Sequence, residues 1–111
     1  MPAYYSDEDL NRINEIGDDA PLLWQKFQTW YAHVFADGAL SRRQKALIGL
    51  AVAHALQCPY SIDAYTEDCL ETGFNMAQMT EAVHVAAAIR GGASLIHGLQ
   101  MRNTAHKVES R

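Results

Sequence analysis

The chain has 111 residues and a formal net charge of −4, so it is large enough to bury the core of one domain. Apolar residues make up 49% of it and charged residues 20%, a balance typical of a folded protein rather than a disordered one. This acidic chain has neither a basic run nor a membrane-length apolar stretch, which argues against a nucleic-acid-binding protein and against a membrane protein.

Helix caps and apolar spacing predict an all-α domain over residues 1–111, with about six helices in antiparallel hairpins. The first helix is expected over Asp7–Ile16, with Ser6 as its N-cap and Gly17 at its end. The second is expected over Pro21–Phe35, since proline favours the first helical position. Its apolar face, assigned to the core, has four residues at helical spacing: Leu23, Phe27, Trp30 and Val34.

The third helix is expected to be central and largely buried, because apolar residues surround it almost completely. Ser41 and Gln44 form its predicted capping box, and it is expected to end near Gln57. The fourth helix follows at once, from Pro59 to Gly73.

The fifth helix is expected to begin after Asn75, which heads a second capping box, and to reach Arg90. Gly91–Gly92 either breaks or bends the chain there, and Ala93–Thr104 is predicted to be helical again. The segment Val83–Met101 is rich in alanine and glycine. Such small residues allow close helix packing, within the protomer or against another one.

The segment with the clearest chemistry begins at Cys58, which precedes Pro59 and is therefore predicted to be a helix N-cap. Free N–H groups and the helix dipole favour a thiolate there, the form that attacks peroxides and disulfides. Ser61 lies one turn into the helix, where a second thiol would be able to form a disulfide with Cys58. Tyr65 lies one turn further, where a side chain can handle protons for position 61.

Two histidines are candidate partners for this motif. His54 precedes Cys58 by four residues and is either a base for the thiolate or a core histidine. His84 lies on the following helix, and its alternative is also a structural role. No spacing predicts a metal site, and two cysteines do not make a disulfide framework, so a reducing cytoplasm is expected.

The segment Leu40–Gly73 resembles the core of the alkylhydroperoxidase D (AhpD) and carboxymuconolactone decarboxylase superfamily, with its redox motif over residues 40–73. The segment Glu81–Ser94, together with Ala53-His54 and Cys58-Pro59-Tyr60, is most similar to small peroxidase-like proteins associated with arsenosugar biosynthesis. The resemblance implies an AhpD-like helical bundle and a homo-oligomer, either a trimer or a hexamer.

Residue by residue, the resemblance to the alkylhydroperoxidase pattern is partial. Cys58 matches the family's resolving cysteine, whereas Ser61 stands at the position of the attacking cysteine. Tyr65 stands at the position of a histidine, and Ala46 at that of a proton-relay glutamate. Because serine forms neither a sulfenic acid nor a disulfide, this chain cannot run a cycle between two thiols.

Three explanations for Ser61 remain open. It is an engineered replacement of cysteine, or it replaces selenocysteine, or it is native and the activity is lost or changed. In a competent form, position 61 would attack a peroxide or disulfide, Cys58 would resolve the intermediate, and Tyr65 with His54 or His84 would manage protons.

The expected function is therefore a thiol-dependent peroxidase or disulfide oxidoreductase that uses a dithiol reductant and needs no cofactor or metal. One alternative is a proton-transfer enzyme like carboxymuconolactone decarboxylase. Another is a non-catalytic oligomeric binding protein.

Overall fold

The computed structural model describes residues 7–111, apart from the side chains of Asp7 and Leu10. This part of the chain is all-α and has no strand, as predicted, but the prediction of about six helices is wrong. The described chain begins with a single helical turn, α1 (Asp7–Leu10), and a 3-10 turn (Ile13–Gly17). Four long helices follow, and they are α2 (Pro21–Phe35), α3 (Arg42–Leu56), α4 (Pro59–Glu71) and α5 (Met76–Glu109).

The helix predicted over Asp7–Ile16 is interrupted after its first turn. The backbone N–H groups of Asn11 and Arg12 bond to carbonyls three residues back, at 3.2 and 3.0 Å, so the chain tightens instead of continuing as an α-helix. Asparagine side chains compete for backbone hydrogen bonds and favour such breaks. The predicted N-cap, Ser6, lies outside the described residues.

The capping signals elsewhere are confirmed. The Ser41 hydroxyl accepts a hydrogen bond of 3.0 Å from the Gln44 backbone N–H. The Gln44 side-chain oxygen accepts one from the Ser41 backbone N–H, which completes the capping box at the start of α3. Asn75 forms the same arrangement with Gln78 at the start of α5. Pro21 is the first residue of α2, as expected.

Helix α5 runs unbroken for 34 residues through Gly91–Gly92, so the alternative of a break there is wrong. At 1.5 Å per residue its length is about 51 Å. A Cβ atom at Gly91 or Gly92 would meet nothing within 4 Å, so no close contact requires glycine at these positions. Arg90 ties the helix to α3 by donating a hydrogen bond to the Ala55 carbonyl.

Helix α3 lies at the centre and packs against both α4 and α5. The core that these helices share is small and consists of Ala46, Leu50, Ala53, Tyr65, Cys69, Phe74 and Met79. The prediction that α3 is largely buried is wrong for this protomer, because Ile48 and Val52 remain about half exposed, at 48% and 49%, and Leu56 is 72% exposed.

Helix α2 packs through a ladder of aromatic rings. Tyr31 and Phe35 have ring centroids 5.0 Å apart, and Phe35 stacks on Tyr65 of α4 at 5.1 Å. The predicted apolar face of α2 is not buried, since Leu23 is 71% and Trp30 62% exposed. Assignment of this face to the core was wrong, because α2 packs mainly against the 3-10 turn and only lightly against α3.

The protomer is extended for its length. Its radius of gyration is 19.2 Å, against about 13 Å for a compact domain of this size. Its accessible surface is 8873 Å², against about 6,100 Å² expected for a monomer. Along residues 7–111 no helix has the length and hydropathy needed to cross a lipid bilayer.

Candidate functional site

The junction of α3 and α4 places Cys58. Gln57 adopts a left-handed conformation, with φ 55°, and the Cys58 N–H bonds to the Ala53 carbonyl at 3.1 Å. These two features form a Schellman motif, which ends α3 and reverses the chain. Cys58 is then the N-cap of α4 and is half-buried.

The surroundings of Cys58 favour its thiolate. The neutral thiol makes no capping hydrogen bond, but the pKa of Cys58 is lowered, above all by the Ser61 hydroxyl and then by the Ser61 backbone N–H. Burial acts in the opposite direction, and the Tyr60 N–H adds a smaller lowering. A cysteine with more thiolate at neutral pH is a better nucleophile.

Cys58 opens onto a recess of about 470 Å³ between the N-terminal turns and α4. Ile13, Ile16 and Tyr60 form its apolar walls. Arg12, at its edge, is held by an ion pair of 2.5 Å to Glu15. The recess beside Cys58 is therefore large enough for a small peroxide or the end of a disulfide.

Ser61 and Tyr65 line two further grooves that meet beside them. The apolar groove, of about 460 Å³, lies against α3 and includes Ile48, Val52 and Leu56. The acidic groove, of about 790 Å³, lies between α2 and α4. Its walls combine aromatic rings with three carboxylates, namely Trp24, Phe27, Tyr31, Tyr60, Glu67, Asp68 and Glu71.

Tyr65 is positioned by close packing. Its side chain is 8% exposed and stacks on Phe35. A Cβ atom at Gly49 of α3 would lie 3.0 Å from the Tyr65 ring, so the absence of a side chain there lets the ring approach the helix. Tyr65 and Ser61 are thus brought to the same pair of grooves, whereas Cys58 lines the separate recess.

The two histidines are not joined to this group. The Nδ1–H of His54 donates to the Leu50 carbonyl of its own helix at 2.8 Å, which leaves Nε2 as the basic nitrogen. His84 is exposed on α5. In the described part of the chain, no hydrogen bond or ion pair links either ring to Cys58 or Ser61.

Cys69, the second cysteine, lies in the core. Its side chain is 0% exposed, and burial, with a smaller effect of Asp68, raises the pKa of its thiol. The Cys69 thiol is therefore poorly nucleophilic in the folded protein. Among the described residues, no group of three or more His, Cys, Asp or Glu side chains is arranged to hold a metal ion.

The acidic groove was missed by the sequence analysis, which assigned Phe27 of its wall to the core. A signal was present, because Glu67 and Glu71 follow Tyr60 at spacings that place all three on one side of a helix. The two carboxylates on this side of α4 would have indicated that the aromatic residues facing them from α2 line a polar surface.

Comparisons with known proteins agree with this fold. A family model described as the carboxymuconolactone decarboxylase family matches residues 21–101. An uncharacterized protein of the cox locus of Paracoccus denitrificans is 47% identical over 80 residues, which cover 72% of this chain and 67% of that protein.

Two solved structures resemble it. A crystal structure of a protein from Methanobacterium thermoautotrophicum has a TM-score of 0.72 at 28% identity and covers 76% of this chain and 94% of its own. A carboxymuconolactone decarboxylase family protein from Legionella pneumophila, in its apo form, has a TM-score of 0.68 at 26% identity, with 81% and 80% covered. The helical fold and the family match together show that the chain belongs to the carboxymuconolactone decarboxylase family.

Proposed function

We propose that the chain is a thiol-dependent oxidoreductase that reduces a peroxide or a disulfide through Cys58. The observation that carries this proposal is the lowered pKa of Cys58, caused first by the Ser61 hydroxyl. The thiol is half-buried and opens onto a recess large enough for a small substrate. Cys69 is sealed in the core and takes no part.

With a hydroperoxide, the Cys58 thiolate attacks one peroxide oxygen and the O–O bond breaks, which gives a sulfenic acid and, after protonation, an alcohol. A thiol of the reductant then displaces water and forms a mixed disulfide with Cys58. A second thiol of the same dithiol releases Cys58 and leaves the reductant oxidised. Two electrons pass from the dithiol to the peroxide, and no organic cofactor or metal is needed.

Ser61 sets the limits of this cycle. It stabilises the Cys58 thiolate but is unable to resolve the sulfenic acid, so an external thiol must do so. A form with cysteine or selenocysteine at position 61 would attack the substrate there and let Cys58 resolve the intermediate, as the resemblance to the alkylhydroperoxidase pattern implies. In that form Tyr65, which lines the same grooves as Ser61, would donate a hydrogen bond to the reacting oxygen.

A decarboxylase-like proton transfer has less support. Such an enzyme would bind an anionic substrate, yet the acidic groove beside Ser61 carries Glu67, Asp68 and Glu71. No Lys, Arg or His side chain is found among the described residues of its walls. His84, the predicted base, is exposed on α5 and lines neither of the two grooves beside Ser61.

We further propose that the chain forms a homo-oligomer, either a trimer or a hexamer, and acts in a reducing cytoplasm. The support is the exposed apolar surface of the protomer, which is far larger than a monomer of this length needs. If the Cys58 thiol proves inert, the alternative is that the chain is a non-catalytic oligomeric binding protein.

The test is peroxide consumption with a dithiol reductant, measured for the wild type and for Cys58→Ser, Cys69→Ser and Ser61→Cys. Cys58→Ser is expected to abolish turnover, whereas Cys69→Ser, the matched control, retains it. Ser61→Cys is expected to raise the rate, because an internal thiol replaces the slower external one. Turnover that survives in Cys58→Ser, or its absence in both the wild type and Ser61→Cys, would contradict the proposal.

A further inference from the structure

The acidic groove holds negative charge that nothing in the described chain compensates. Glu67, Asp68 and Glu71 line it, and none of their carboxylates makes an ion pair or a hydrogen bond there. Glu71 follows Glu67 by four residues and Asp68 by three, so like charges are neighbours on α4. Such pairs destabilise a helix.

The position of these acids within α4 adds to the cost. They lie in the last turns of the helix, where the macrodipole is negative and where cations are the stabilising residues. The last turn of α4 contains no basic residue. A positive charge in the groove would relieve both the mutual repulsion and the unfavourable interaction with the dipole.

The facing wall is suited to a cation. Trp24 and Phe27 stack with ring centroids 5.7 Å apart, and Tyr31 continues the row. Aromatic faces attract ammonium groups through the ring quadrupole. The pKa of Tyr31 is raised by burial and next by Asp68, so the charge of Asp68 is felt at this wall.

Tyr65 supplies an independent indication of a ligand. It is 8% exposed, and its hydroxyl makes no hydrogen bond to the residues that the structure describes. Within the described residues, every fully enclosed polar side-chain atom has a partner. The Tyr65 hydroxyl must therefore reach open space, and the space that this side chain lines is formed by the two grooves.

We propose that the acidic groove binds a small organic cation, a primary amine or a quaternary ammonium with an apolar or aromatic body. The ammonium group lies between the carboxylates of α4 and the rings of α2, and a polar group elsewhere on the ligand bonds to the Tyr65 hydroxyl. A volume of about 790 Å³ accommodates such a molecule. The proposal does not depend on the chemistry of Cys58.

Calorimetric titration of the full chain at low ionic strength tests the charge preference with three probes that share one body. These probes are phenethylamine, 2-phenylethanol and 3-phenylpropionate. Phenethylamine is expected to bind about tenfold more tightly than the alcohol, and the carboxylate least of all. The triple variant Glu67→Gln/Asp68→Asn/Glu71→Gln neutralises the carboxylates of the groove. It is expected to bind phenethylamine no more tightly than the alcohol.

Matched controls separate the groove from the rest of the surface. Glu81→Gln changes an exposed acid on α5 and is expected to leave the affinity for phenethylamine unchanged. Tyr65→Phe is expected to weaken the binding of tyramine, which carries a hydroxyl, more than that of phenethylamine. Far-ultraviolet circular dichroism checks that each variant is folded.

Two results would overturn the proposal. One is equal affinity for the three probes, or an unchanged preference in the neutralised variant. The other is no binding of any probe to the wild type, which is the outcome expected if a second copy of the chain closes the groove.

Discussion

The Ser61 hydroxyl is the single group that most lowers the pKa of Cys58. It stabilises the thiolate as a hydrogen-bond donor, a role in which serine serves as well as cysteine would. The position that the resemblance assigns to an attacking thiol therefore keeps a chemical role in this chain. That role is electrostatic and does not require electron transfer.

Replacement of Ser61 by alanine is expected to raise the pKa of Cys58, because the largest stabilising donor is lost. Since the thiolate is the reactive form, the rate of alkylation at neutral pH should fall severalfold. Ser94→Ala, an exposed serine on α5, is the matched control and should leave the rate unchanged. A faster or unaltered rate in Ser61→Ala would show that the hydroxyl does not stabilise the thiolate.

How much of the site the sequence predicts depends on the range of the forces involved. Pro59 marks a helix start locally, so the N-cap position of Cys58 was predictable. The His54 ring bonds to the Leu50 carbonyl of its own helix, a partner that the spacing to Cys58 did not predict. Spacing alone does not determine such orientations, because they depend on how the helices pack.

At the level of elements, the α3–α4 turn is held by a residue in an unfavourable conformation. Gln57 is the one non-glycine residue with positive φ in the described chain. A side chain in this region costs about 1–2 kcal/mol. This strain occurs in the Schellman turn that places Cys58 at the N-terminus of α4.

Gln57→Gly is therefore expected to stabilise the protein by about 0.5–1 kcal/mol, since relief of the strain exceeds the backbone entropy lost by glycine. Chemical denaturation measures the free energy of unfolding. The control is Gln25→Gly, an exposed position inside α2, where glycine should destabilise by a similar amount. Destabilisation by both variants would mean that Gln57 is not strained.

The helix boundaries show which local sequence signals are sufficient to predict where a helix begins or ends. Capping boxes at Ser41 and Asn75 were read correctly, because each is complete within four residues. The sequence analysis left open whether Gly91–Gly92 breaks the chain or bends it, and α5 is continuous through the pair. Glycine lowers helix propensity but does not remove a backbone hydrogen bond, so the intrahelical ladder continues through the pair.

At the level of the whole molecule, the second half of α5 buries no side chain against the rest of residues 7–111. No residue after Ala86 is buried, although apolar side chains continue along the helix. Four of them, together with Gly92, recur at spacings of four, three, four and three residues, and they are Val85, Ile89, Ile96 and Leu99. This spacing is that of a helix–helix seam, and it supports the proposed homo-oligomer.

The variant Ile89→Glu/Ile96→Glu places charges on that seam and is expected to dissociate the assembly. Light scattering coupled to size-exclusion chromatography measures the change in mass, and the melting temperature should become lower and less dependent on concentration. The control is Ser94→Glu/Gln100→Glu, exposed polar positions on the same helix that do not belong to the four-residue set. A wild-type chain that is monomeric at all concentrations would contradict the proposal.

The account as a whole depends on the acidity of one thiol, and the pH dependence of its alkylation measures that property most directly. With mass spectrometry to assign the modified residue, Cys58 is expected to react with a midpoint below the value of about 8.5 for a free thiol, while Cys69 stays unmodified until the protein unfolds. A midpoint for Cys58 at or above 8.5, or equal reaction of both cysteines in the folded protein, would contradict the account.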